Sequence, residues 1–394
     1  LDEPLLESRS LAPASPLDAP PSGVQELYPA GMLGDFNNAT STFTNAPLHW
    51  HHWVIHTFPA LRLIDSILVP RRRPPVVSIS GVQFETAKTF IRPGAADGVR
   101  AVLELNDDDA SRKLALFGHT DRVGSDANNN GLSLVRAQSM HALLTHAVGW
   151  WLDRFDAASE SVSSNRKDIQ WALRELGHYG GPVDGVDTPA YQAAVHAFQG
   201  SVPMPVSAVN AATRQALARA IRQRVGAVNA PLTNEKAWAT REVQQMLKHL
   251  GHYTGSITGT LTAATVEAIK KLQRAHELND DGSIGVLSRV VLIRDYMQKM
   301  VPAVVAPARF HANGPVLALF GCGEAHPRVP TADGVESVQN RRVEVVFRRA
   351  PVDPIDPVTQ VGAACPYPAW LAPELDDVTR HPGPEGSADP AETD

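Results

Sequence analysis

Gln170-Trp171-Ala172-Leu173-Arg174-Glu175-Leu176-Gly177-His178-Tyr179 returns 74 residues later as Gln244-Gln245-Met246-Leu247-Lys248-His249-Leu250-Gly251-His252-Tyr253. Under the same offset Gly181 meets Gly255, Gly185 meets Gly259, Val195 meets Ile269 and Gln199 meets Gln273. So many coincidences at one shift mean two copies of one small module. In each copy a helix leads through a Gly-rich loop into a second helix, and the segments 211–222 and 285–297 supply a third. Leu173, Leu176, Val195 and Phe198 in copy one, and Leu247, Leu250, Ile269 and Leu272 in copy two, recur at helical spacing and are core positions.

Outward from the repeats the pattern changes. On the N-terminal side, 76–84 alternates as a strand, 94–105 has apolar residues at helical spacing, and 113–117 is a second strand. A polar loop at 120–130 leads to a helix over 132–146, with Asn130-Gly131 before it and Gly149 after it. On the C-terminal side, 316–320 and 342–347 return to strand character. The expected class is α+β: one α/β unit split by an all-α insertion of two three-helix modules. Its parts are 76–149 and 301–350 for the split unit, and 150–225 and 226–300 for the modules. Residues 1–75 read as an irregular arm. Within it, 49–68 (Trp50, Trp53, Val54, Phe58, Leu61, Ile64, Leu68) forms short packed or helical pieces. Residues 351–394 read as a Pro- and acid-rich tail, disordered from His381.

The 394 residues carry 36 Lys+Arg against 42 Asp+Glu, a formal charge of −6, which argues against a nucleic-acid partner bound through a basic footprint. No apolar run is long enough to span a bilayer. Cys322 and Cys365 are too few for a disulfide framework or a cysteine zinc site. In an oxidising compartment they form one bridge; otherwise Cys322 is a buried thiol. The start at Leu1, without Met or a charged-plus-apolar leader, reads as a processed product or fragment, so it says nothing about export.

Phe117-Gly118-His119-Thr120-Asp121-x-x-Gly124-Ser125, followed by Asn129-x-x-Leu132-Ser133-x-x-Arg136-Ala137, resembles the signature of the OmpA C-terminal domain. That family includes the Pal lipoproteins and flagellar stator proteins, which anchor to peptidoglycan. Its closing elements have counterparts in Gly321-Cys322-Gly323-Glu324 and Asn340-Arg341-Arg342-Val343. The family usually joins these parts by a few tens of residues; here about 170 intervene and hold the repeats. The repeats resemble the small helical peptidoglycan-binding module of cell-wall enzymes. Copy one fits at Leu176, Gly177, Tyr179, Gly181, Asp184, Gly185, Val195, Phe198 and Gln199. Copy two departs at Thr258, where Asp is expected, and at Leu272, where Phe is expected.

The OmpA resemblance implies a site for the diaminopimelate residue of the peptide stem, whose side chain ends in an ammonium and a carboxylate on one carbon. Asp121, at a strand end, matches the family's acid, and Arg136, in the first turns of the next helix, its guanidinium. The planar fork takes a carboxylate through two parallel bonds. Asn129 and Thr120 supply further hydrogen bonds. Of Arg341 and Arg342, one lines the cleft and the other faces solvent or pairs with an acid. His119 is structural. Tyr179 and Tyr253 pack with free hydroxyls or stack on sugar, and Asp184 fixes its Gly turn or meets ligand. Asp121, Arg136 and Asn129 are expected to share one concave surface, with little effect of that site on fold stability.

The expected function is non-catalytic peptidoglycan binding in a Gram-negative periplasm, at the envelope and outer membrane, or in a secreted protein. No cofactor, metal or catalytic residue is expected, and no transmembrane segment. Several weak sites on one chain raise avidity for a polymer. Two alternatives stand beside this. One is a zinc-dependent peptidoglycan hydrolase using His49, His51, His52 and His56, although only Asp65 is near and no hydrolase motif surrounds them. The other is a wall-binding accessory or cargo of a contractile secretion or phage-like particle, joined to an envelope or secretion-apparatus protein through the N-terminal arm.

Overall fold

The computed structural model describes residues 35–37, 42–44, 51–56, 63–69, 71–80, 84–85, 87–155, 161–230, 232, 235–353, 355–356 and 360–375. They fall into two units, Leu1–Pro75 with Leu371–Asp394, and Val76–Trp370.

In the first unit the regular described backbone is all strand. Asp35–Asn37 pairs with Thr42–Thr44, His51–His56 with Leu63–Val69, and Arg71–Arg72 with Glu374–Leu375, each antiparallel. The stretch 49–68, expected as packed or helical pieces, thus holds a strand hairpin. Trp53, Val54, Ile55, Ile67 and Val69 in it are aromatic or β-branched, the types a pleated surface favours over a helix.

The second unit is built on a four-stranded sheet: β1 (Val76–Ser80), β2 (Lys113–His119), β3 (Leu319–Gly321) and β4 (Arg342–Arg348). Its spatial order is β3-β2-β4-β1, with β3 parallel to β2 and β4 antiparallel to both β2 and β1. The chain leaves this sheet after β2 and comes back to it at β3, so the segment after 301 returns to the strands before 149. The stretch 316–320 is not one strand: Val316–Leu317 turns back on Ala312–Asn313, and only Leu319–Gly321 joins the sheet.

Helices α1 (Ala96–Asp108) and α2 (Asp126–Leu144) follow β1 and β2. Leu114 and Leu116 of β2, and Val343, Val345 and Phe347 of β4, share the core with Val99, Val102, Ala137 and Met140 of these helices. At Gly118 a Cβ would strike the Ser133 carbonyl, so β2 and α2 meet in a contact that tolerates no side chain. Helix α2 begins at Asp126, earlier than the polar Asn128-Asn129-Asn130-Gly131 run suggests. Ser125 caps it by accepting from the Asn128 N–H, and Asp126 complements the helix dipole.

The other sheet face is buried as well, by a strap over 360–370. Trp370 is fully buried against Phe117 and Phe320, and the Gly321 N–H donates to the Gln360 carbonyl. Cys322 and Cys365 form a disulfide with Cα atoms 5.2 Å apart, tying the strap to the turn after β3. The expected tail therefore begins well beyond residue 350. Its first part belongs to the domain because Trp370, Tyr367 and Ile355 cover apolar surface that the helices leave open.

Between the two halves of the sheet lie a short α3 (Val148–Leu152) and six helices. These are α4 (Arg166–Glu175), α5 (Pro189–Ser201) and α6 (Ala211–Arg224), then α7 (Thr240–Leu250), α8 (Ala263–Ala275) and α9 (Val286–Met300). The entry and exit of this insertion are tied together. The Val305 N–H donates to the Leu144 carbonyl (2.9 Å), and His146 Nε2 lies 2.9 Å from the Val301 carbonyl. The repeats are not separate beads: Trp151, Trp238 and Tyr296 ring Phe90, and one continuous apolar core runs from the sheet through both copies. No helix among the described residues is long and apolar enough to cross a membrane.

Candidate functional site

Asp121 follows β2 by two residues and is 6% exposed. Arg341 Nη1 lies 2.5 Å from its Oδ2, and the Ser337 N–H donates to the same oxygen at 3.2 Å. Asn129, in the first turn of α2, donates from Nδ2 to the Asp121 carbonyl (3.3 Å) and to Glu324 Oε2 (2.9 Å). Arg122 holds the loop above them through Glu324, the Thr331 carbonyl and Asp333. The Thr120 N–H donates to the Gly323 carbonyl; its hydroxyl is buried without a partner among the described residues.

Arg136 sits in the middle of α2, not in its first turns, because the helix starts at Asp126. Its side chain is 1% exposed. Nη2 donates to the Glu85 carbonyl (3.3 Å), Nε to the Lys88 carbonyl (3.2 Å) and Nη1 to the His119 carbonyl (3.4 Å). The guanidinium carbon lies 5.1 Å from the Phe84 ring centroid. Two of the five guanidinium N–H donors have no partner among the described residues. Nor does any carboxylate there form an ion pair with it. Burial lowers its pKa to about 10, opposed by the charge of Asp121, so it stays protonated at neutral pH. The acid's direct partner is thus Arg341, and the expected open cleft is a buried polar cluster.

Arg341 and Arg342 diverge, as neighbours at a strand start must. Arg342 points to the strap side, where Nε is 3.0 Å from Glu344 Oε1 and Nη2 donates to the His326 carbonyl. It lines no cleft with Asp121: its charge is matched by Glu344, two residues along the same strand. The Tyr367 hydroxyl donates to Glu344, and His119 Nε2 is 3.5 Å from it. Burial brings His119 down to about 4. Burial would raise Glu344, but His119, Arg342 and Tyr367 together bring it down to about 2. Burial and the Glu344 carboxylate push Tyr367 up to about 12. Glu344 and Tyr367 escaped the sequence reading, and only the alternation of β4 could have flagged Glu344.

The two repeats use one device. Gln170 accepts from the Gly185 N–H (2.7 Å) and donates to Asp184 and the Val186 carbonyl. Gln244 does the same with the Gly259 N–H (2.8 Å), Thr258 and the Thr260 carbonyl. Asp184 Oδ1 accepts from the Val186 N–H, and the Thr258 hydroxyl accepts from the Thr260 N–H. The departure at Thr258 therefore keeps the turn. Tyr179 and Tyr253 are buried, and their hydroxyls are not free: they donate to the Pro182 and Ser256 carbonyls. A Cβ at Gly181 or Gly255 would come within 2.5 Å of those hydroxyls, which is why glycine stands at both places.

A family model described as "Putative peptidoglycan binding domain" matches residues 162–217 and 239–287, the two repeats. No curated protein and no solved structure matches the chain. The matches support peptidoglycan binding and association with the cell wall. Among the described residues no group of three or more His, Cys, Asp or Glu is placed to hold a metal ion. His49, and the side chains of His51, His52 and His56, lie outside the described residues, as does most of the arm expected to meet a partner.

Proposed function

We propose that the chain is a non-catalytic cell-wall binder in which an OmpA-like sheet domain and two helical modules take peptidoglycan together. The pair of matched repeats carries the wall-binding reading. The OmpA-like reading is supported by the return of β3 and β4 to the sheet and by the cluster of motif residues at the end of β2.

The ligand of this cluster is the zwitterionic end of a diaminopimelate stem peptide. A buried guanidinium that among the described residues has unused donors and no paired acid suits a carboxylate, which it binds two-pronged. Asp121 takes the ammonium, sharing its charge with Arg341. Asn129 and the Thr120 hydroxyl orient the ligand. A disulfide together with wall association favours an oxidising compartment, the periplasm or the cell exterior.

Calorimetry of the full chain with a soluble diaminopimelate-containing peptide tests the site. Asp121→Asn and Arg136→Lys each remove one charge-assisted contact, worth roughly 1.5–3 kcal/mol, so each weakens binding about ten- to a hundredfold. Unchanged affinity in both variants moves wall binding onto the helical repeats alone.

A further inference from the structure

Residues 84–85 and 87–92 lie between Arg136 and the second repeat. From one side Arg136 grips the carbonyls of Glu85 and Lys88. From the other, the chain entering α7 grips the same residues. Lys88 Nζ donates to the Ala237 carbonyl (2.5 Å) and lies 3.2 Å from Glu242. The Lys236 N–H donates to the Ala87 carbonyl, the Thr89 hydroxyl donates to Glu235, and Gln245 donates to Glu85. Tyr296 of α9 holds the Ile91 carbonyl (2.8 Å). Ala87 has φ +55°, a left-handed conformation that an alanine keeps only where its surroundings fix it. Glu85 and Lys88 both give Arg136 a backbone oxygen and send a charged side chain to the repeat; among the described residues Lys88 is the one of the two that forms an ion pair there, with Glu242, while the Glu85 carboxylate accepts from Gln245.

We infer that Lys88 is a positioning residue for Arg136, through which the second helical repeat sets the aim of the guanidinium and the carboxylate selectivity of the sheet's site. This rests on the ligand role of Arg136 given above. On this view the insertion is part of the sheet's binding machinery, not only a second attachment point. Its anchor is a charge pair in which Glu242 is almost fully buried, so the segment cannot drift without separating Lys88 from its acid.

The test uses the full chain carrying Lys88→Met with Glu242→Gln. The pair is removed together, because either change alone strands a buried charge. Gln at 242 can still accept from the Ala239 N–H, so the start of α7 keeps its cap. Two stem peptides are titrated, one with the free diaminopimelate carboxylate and one with that group amidated. A wild-type preference of at least tenfold for the free acid is expected to fall about tenfold in the variant. An equal loss for both peptides, with the preference intact, is a general structural effect and overturns the inference. If the wild type shows no preference, the ligand role of Arg136 fails, and hydrogen exchange decides the positioning separately. Faster exchange in the variant at 119–121, which Arg136 holds through the His119 carbonyl, supports the link. A change confined to 87–92 and 235–245 overturns it.

Discussion

Arg136 gives three N–H groups to the carbonyls of Glu85, Lys88 and His119, so its removal strands one buried and two part-buried acceptors. Arg136→Ala is expected to lower stability by at least ~2 kcal/mol, measured by urea unfolding, besides its effect on binding. This reverses the expectation of a stability-neutral surface cleft. The residue types of the site were legible in the sequence; their burial was not. Nothing in the Asp121 to Arg136 spacing reveals that 84–85 and 87–88 pack on the guanidinium, because that contact is set by the distant segment 235–245. A second residue-scale outcome is pH dependence. Burial lowers His119, His141 and His311 to about 4 from 6.5. Below about pH 6.5 the unfolded chain takes up protons on these rings that the folded chain refuses until about 4. Stability is therefore full above 6.5 and lost between 6.5 and 4, by up to about 1.4 kcal/mol per pH unit for each ring. Glu344, lowered to about 2, contributes stability above its ordinary 4.5 that disappears as pH falls through 2. His119 and Glu344 are neighbours, so their steps belong to the pair. Urea midpoints that stay flat from pH 7 to 4 would contradict this account.

Helix α2 and the strap show what local sequence does and does not encode. The repeat helices were readable because apolar periodicity and the 74-residue offset agree, and the third helix of each copy begins and ends within a few residues of the expected 211–222 and 285–297. The start of α2 was hidden by an Asn-rich run whose weak helix propensity is overridden by the Ser125 cap and packing on β2. The strap was hidden for a different reason. Residues 351–370 are rich in Pro and lack periodicity, yet Trp370, Tyr367 and Cys365 fix 360–370 to a sheet face whose exposure the alternation of β4 alone could not settle. The Cys322–Cys365 bridge closes a sequence separation of 43 residues, which in the chain-entropy model contributes about 4 kcal/mol. Reduction should lower the urea midpoint of the native chain and speed hydrogen exchange at 360–370. Two thiols that label fully in the unreduced native protein would contradict the bridge.

At the scale of the whole molecule, the sheet domain and the helical copies share one apolar core, with Phe90, Trp151, Trp238 and Tyr296 at the joint. Replacing residues 150–300 by a linker would expose that joint and remove the contacts from 235–245 that hold Glu85 and Lys88 against Arg136, so binding is measured on the intact chain. The central claim is that this chain binds peptidoglycan, and co-sedimentation of the purified full-length protein with purified sacculi tests it most directly. The account predicts saturable sedimentation with the sacculi, reduced by soluble diaminopimelate-containing muropeptides and only in part by Arg136→Lys, because the repeats also hold the polymer. Protein that remains in the supernatant across micromolar concentrations, with sacculi from which attached proteins and wall polymers have been removed, would contradict it.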